Sequence, residues 1–219
     1  MTSDYDPADC RATRAFRQIQ EQTHCTFASR AKVWGAPPYP DGSTLASYLE
    51  SVPEPFTRFL ALAEQERLHG FVIELPDARF GSSIAQLSET VRRILGFLSE
   101  RNPGQSPSLE VHQPGWNFMF QGSRCFVSSI APCYGPDSSR YGFGATSTFV
   151  FLQLHSSFAH FRVPSGEHRN VRLLIRAAYA RNGRAYDGNA PCEAEKFVKP
   201  LALGDPPVRW WQSDSASRT

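Results

Sequence analysis

The sequence predicts an α+β domain with a mainly antiparallel sheet covered by helices, and three observations predict it. Helical and strand periodicities follow one another in the order helices, strand, helix, hairpin, strand, helix. The run "GFVIEL" is β-rich and bounded by Gly70 and Pro76, while "WNFMF" and "RCFVSSI" flank "QGS", which has the composition of a hairpin turn. The chain has 219 residues, 41% hydrophobic and 20% charged, enough for one core with a small-molecule pocket. It is read as a single domain over 1–219, with a polar tail from about residue 212.

The elements follow in order. In "PADCRATRAFRQIQEQT", Ala8, Ala12, Ala15, Phe16 and Ile19 recur at helical spacing, and "GAPPYPDG" (35–42) then breaks the chain in a loop. "STLASYLESV" and "EPFTRFLALAEQERLH" read as two short helices, and "GFVIEL" as a buried strand. The clearest helix is "SSIAQLSETVRRILGFLSER", where Ile84, Leu87, Val91, Ile94, Leu95 and Leu98 form one stripe and Ser83 and Gln86 have capping-box spacing. "RNPGQSPSLEVHQPG" reads as a surface loop, and "CYGPDSSRYGFGATS" as a second one leading into the strand "TFVFLQL". In "NVRLLIRAAYARNG", Val171, Leu174, Ile175, Ala178 and Tyr179 share a face, and Gly183 ends the helix.

Composition excludes several functions. A net charge of +2, with cations and acids interspersed, lacks the basic excess that nucleic acid binding needs. No apolar run reaches the length of a membrane span, and "MTSDYDPADCRATR" is too acidic and polar for a secretory signal, so the expected location is the cytoplasm. Cys10, Cys25, Cys125, Cys133 and Cys192 form no CxxC pair and are expected as free thiols. No Walker loop, GxGxxG, HExxH or Ser-His-Asp order is present.

Chemistry is concentrated in a few stretches. The apolar segment "FVFLQLHSSFAHF" carries His155 and His160, five residues apart. That spacing separates the two imidazoles on a helix or a strand, so they do not share one metal there; iron held by either would be held by a single axial ligand, as in haem proteins. Ordinary packing is the commoner fate of such a histidine. "GPDSSR" offers Ser138, Ser139 and Arg140, a set suited to a carboxylate or a haem propionate, against a plain turn with a solvated Arg. Cys25 is a thiolate ligand or a buried thiol. Glu193 and Glu195 in "CEAEKF" offer negative charge to an amine or guanidinium, or are surface acids at a helix start.

The chain resembles the YqcI/YcgG-like family of haem-dependent N-hydroxylases over most of its length. The likeness rests on "WNFMFQG" and "RCFVSSIAP", on Pro136, Asp137, Ser138, Ser139 and Arg140, and on Leu154, His155, Phe158, Phe161 and Arg162. "LLIRAAYARNG", "CEAEKF" and the segment Cys25 to Ala28 extend it. The chain departs from the pattern at Gly135, where many relatives have His, and in its "PVRWWQ" ending. The resemblance implies haem b as cofactor, with His155 as axial iron ligand and His24 or Cys25 as the alternatives. It implies N-hydroxylation of a guanidine or amine, free L-arginine first, in natural-product (antibiotic) biosynthesis. Molecular oxygen and an external electron donor would then be partners. Ser138, Ser139 and Arg140 would hold propionate or substrate carboxylate, and Glu193 the cationic end of the substrate. The alternative is a haem-binding carrier or sensor of the same fold without catalysis.

Overall fold

The computed structural model describes residues 5–102, 111–161, 168–184, 186 and 192–212. Strands β1 (Val33–Gly35), β2 (Gly70–Leu75), β3 (Phe118–Phe120), β4 (Ser123–Ile130) and β5 (Thr148–Leu154) form one sheet in the order β1-β2-β5-β4-β3. β1 runs parallel to β2 and all other pairings are antiparallel, so the fold is α+β as expected. Arg162, most of the predicted loop after Arg101 and the tail beyond Gln212 lie outside the described residues.

Alternation sorts the sheet into two faces. One carries Phe71, Ile73 and Leu75 of β2, Val127 of β4, and Val150 and Leu152 of β5, all buried. They join one core with α2 (Leu45–Leu49), α3 (Pro53–Glu66) and α4 (Ile84–Glu100). There Phe56 packs on Phe71 and Phe120 at 5.2 and 4.9 Å between ring centres. α4 begins where its cap predicts: the Ser83 hydroxyl accepts from the Gln86 amide, and Leu87 to Leu98 bury the predicted stripe.

The other face carries Val72, Phe149, Phe151 and Ile130 and is closed by α1 (Arg11–Gln22). Phe16 of α1 lies 5.6 and 5.1 Å from the rings of Phe149 and Phe151. Glu74 points to this face and is buried, held by the Ser147 hydroxyl at 2.8 Å and by Arg11 at 3.4 Å. Phe126 of β4, opposite Gln153, meets Phe197 of the segment 192–200 edge-on at 6.2 Å.

α5 (His168–Arg181) ends as its sequence predicts, with Gly183 at φ +70 and the Arg184 amide returning to Tyr179 O. Its predicted apolar face is corrected in part: Tyr179 is buried, but Leu174 is 63% exposed. Helical spacing locates a stripe without saying that a partner covers it.

The β3–β4 hairpin turns on Gln121 and Gly122, both with positive φ, the two-residue turn that matches strand twist. Asn102 completes it: its side chain accepts from the Gln121 amide at 2.7 Å and donates to Met119 O at 3.2 Å. Asn102 is 6% exposed, and Asn102→Ala strips the Gln121 amide and the Met119 carbonyl of their side-chain partner. The expected loss is about 1–3 kcal/mol in urea unfolding with an unchanged m-value. A loss within about 0.3 kcal/mol would show that water replaces the side chain.

Candidate functional site

β5 delivers His155 to the edge of the α1 face. Its amide donates to Arg124 O at 3.0 Å, continuing the strand by one bond, and its side chain is exposed. A 3-10 turn (Ser156–Phe161) follows, closed by the buried Ser157 hydroxyl on Leu154 O. The turn brings Phe158 edge-on to His155 at 6.1 Å, and Phe27 meets Phe158 at 6.3 Å. The Cys25–Ala28 segment and the Leu154–Phe158 segment, distant in sequence, are therefore neighbours.

From Phe27 the wall continues through residues 23–25 to α5. Thr23 shares a 2.6 Å hydrogen bond with the Tyr179 hydroxyl, His24 stands edge-on to Tyr179 at 5.8 Å, and Tyr186 stacks on Tyr179 at 5.1 Å. Burial pushes the Tyr179 phenol up to about 12 and raises that of Tyr186, while the Arg140 guanidinium opposes both shifts. Burial also raises the Cys25 thiol. His24 is shifted down, first by burial and then by Arg184, which favours the neutral, lone-pair-bearing imidazole.

Arg140 stands at the centre of this electrostatic group, and its environment is unusual. The residue is 8% exposed, and one guanidinium nitrogen donates to Lys196 O at 2.8 Å. No carboxylate among the described residues lies within ion-pair distance of it. A buried guanidinium without a counter-ion is costly, and an anionic ligand removes that cost.

The other predicted residues are placed differently. Ser138 has its hydroxyl engaged by the Arg140 amide at 3.1 Å, the bond of a turn, and Ser139 beside it is half-buried. Glu193 is paired with Lys196 at 2.6 Å, so its charge is already met. Glu195 has one buried carboxylate oxygen without a hydrogen-bond partner among the described residues. His160 points away from this wall to Glu64.

A strap, residues 192–200, fastens the site. Phe197 O accepts from the Ser129 hydroxyl, the Tyr134 hydroxyl bonds both the amide and carbonyl of Lys199, and Trp210 donates to Ala194 O at 2.7 Å. The "WW" pair of the departing C-terminus thus packs the strap from behind, Trp210 stacking on Phe197 at 5.7 Å. The strap is fastened at Ser129, which pairs with Val150 of β5, whereas His155 follows the other end of that strand.

Next to the Arg140 loop, Ala131, Tyr134, Tyr141, Gly142 and Thr146 line an apolar cleft of about 250 Å³ that does not include His155. Among the described residues no three or more His, Cys, Asp or Glu are grouped to hold a metal ion.

A family model decides the chain's kinship. It is the model of the YqcI/YcgG family, and it matches residues 16–188. The chain belongs to the YqcI/YcgG family. The match runs from α1 through the Arg140 loop, His155 and α5 to just past Tyr186, so every part of the wall except the strap lies inside it. No curated protein and no solved structure matches the chain. No helix among the described residues is long and apolar enough to cross a membrane.

The sequence reading missed Tyr186 and the strap. Tyr186 sits in a Gly-rich stretch without periodicity, and the strap is built from backbone bonds, which leave no residue pattern. The Glu193–Lys196 pair had a signal in its i, i+3 spacing.

Proposed function

We propose that this YqcI/YcgG-family protein is a haem-dependent monooxygenase that N-hydroxylates a guanidine or amine nitrogen, with free L-arginine as the leading substrate. The motif resemblance supplies the reaction class. The observation that carries the reading structurally is Arg140, a buried guanidinium whose counter-ion is missing among the described residues.

The donor set is compatible with haem. An accessible imidazole at His155, the apolar rings of Phe158 and Phe27, and an anion-seeking Arg140 are the three kinds of group that hold an iron macrocycle with propionates. Haem b would supply the oxidising chemistry, taking R–NH₂, O₂, two electrons from an external donor and two protons to R–NHOH and water. Of the residues, His155 would hold the iron, with His24 or Cys25 as the alternative. Arg140 would bind a propionate or the substrate carboxylate, with Ser138 and Ser139 shaping its loop. Phe27 and Phe158 would exclude water from the reacting nitrogen. Glu193 would act on the cationic end of the substrate only by exchanging its Lys196 partner for it.

Titration of the purified protein with haem tests the reading. The expected result is a Soret band saturating at one equivalent, perturbed by L-arginine, and a product one oxygen atom heavier in the presence of oxygen and a reductant. Absence of a Soret band overturns it. A Soret band with arginine, agmatine and other guanidines all silent and unconsumed moves the assignment to a haem carrier or sensor.

A further inference from the structure

A second cluster lies where β5 ends, at the corner it forms with β1 and β2. His69 immediately precedes β2 and is 5% exposed. Its amide donates to Lys32 O and its carbonyl accepts from the Leu154 amide, so its backbone ties three strands together. The side chain repeats the tie, Nδ1 accepting from the Lys32 amide at 3.0 Å. That bond requires a neutral imidazole with its proton on Nε2.

His160, in the turn Ser156–Phe161 that follows His155 and carries Phe158, stands edge-on to His69 with ring centres 5.5 Å apart. Its Nε2 meets the Glu64 carboxylate of α3 at 3.1 Å. The His160 side chain is 9% exposed, and its Nδ1 is buried without a hydrogen-bond partner among the described residues.

We propose that His69, His160 and Glu64 form a proton-operated clasp that positions the 155–161 turn, closed while His69 is neutral and released when His69 takes a proton. Protonated Nδ1 cannot accept, so its N–H would face the Lys32 N–H and the bond would be lost. The charge would also fall beside His160. Lys32 approaches from the chain before β1 and adds to the repulsion, and its ammonium is turned to Glu66 O. Glu64, the acid that touches His160, has a side chain 87% exposed and offers His69 a screened attraction.

Burial first, and His160 second, hold the His69 imidazole down at about 4. The released turn frees His69 towards the ordinary histidine value of about 6.5. Released His69 thus binds more protons than clasped His69 between those values, and acid favours release. His69 and His160 are positioning residues: they act on His155 and Phe158 through the turn, whether or not haem is present.

Backbone-amide and imidazole NMR of the haem-free full chain, from neutral pH down through about 4, tests the clasp. The amides of Lys32, Leu154 and His155 should shift together with the His69 ring carbons while far-UV circular dichroism stays native. In His69→Asn, whose Oδ1 takes the Lys32 bond without titrating, the acid shift of Leu154 and His155 should vanish. In His160→Gln the transition should move to higher pH, because the neighbour opposing charge on His69 is gone. The clasp is overturned if the turn moves only with global unfolding. It is equally overturned if His69→Asn retains the shift or if His160→Gln leaves its midpoint in place.

Discussion

His155→Ala is expected to lose stoichiometric haem while keeping its fold. The His155 side chain is exposed, so truncating it removes little buried surface, and surface changes of that kind stay within about 0.5 kcal/mol. Its backbone bond to Arg124 O does not depend on the side chain and persists. The bond to iron proposed for His155 would be different in kind: without it a haem would be left to apolar contact and one guanidinium. The informative comparison is His24→Ala, which removes an imidazole close to Tyr179 at the other end of the same wall. Absorbance after gel filtration should show full haem in His24→Ala and none in His155→Ala, with native circular dichroism in both. The reverse result transfers the iron to the His24–Cys25 segment and leaves His155 as a strand-end residue.

The parts legible in the sequence are those whose physics is local. α4 carries its own cap at Ser83 and its own stripe, and the hairpin carries the Gly122 that its turn requires. β1 was not legible: three residues, Val33 to Gly35, become a strand only because β2 offers a parallel partner. Its glycine has a tertiary reason too, since a Cβ at Gly35 would lie 2.4 Å from the Cys10 sulfur. The same division runs through the site. His155 and Arg140 were identifiable as residue types in telling places. What gives Arg140 its meaning, burial against the strap with no carboxylate among the described residues within ion-pair distance, depends on Lys196 arriving from 56 residues away. Nor could spacing place His69 against His160, which are joined by the pairing of β2 with β5.

Arg140→Leu is expected to separate binding from folding. If Arg140 serves only to pin the strap, losing its bond to Lys196 O should cost about 1 kcal/mol of stability and leave ligand affinity unchanged. If it is held in readiness for an anion, the opposite balance follows. Leucine removes a buried charge that has no counter-ion among the described residues, and this gain offsets the lost hydrogen bond to within about 1 kcal/mol of stability. The charged hydrogen bond to a carboxylate, about 1.5–3 kcal/mol, disappears, and affinity for haem or for L-arginine falls about 10- to 150-fold. Agmatine, which lacks the carboxylate, distinguishes the two anions. Should Arg140 bind the substrate carboxylate, agmatine binds wild type and Arg140→Leu equally weakly while haem affinity is retained. Should it bind a propionate, haem affinity falls and the arginine-to-agmatine ratio is unchanged. Chemical denaturation alongside haem and arginine titrations reads all three quantities, and wild-type affinities for both ligands in a destabilised Arg140→Leu would reduce the guanidinium to a strap pin.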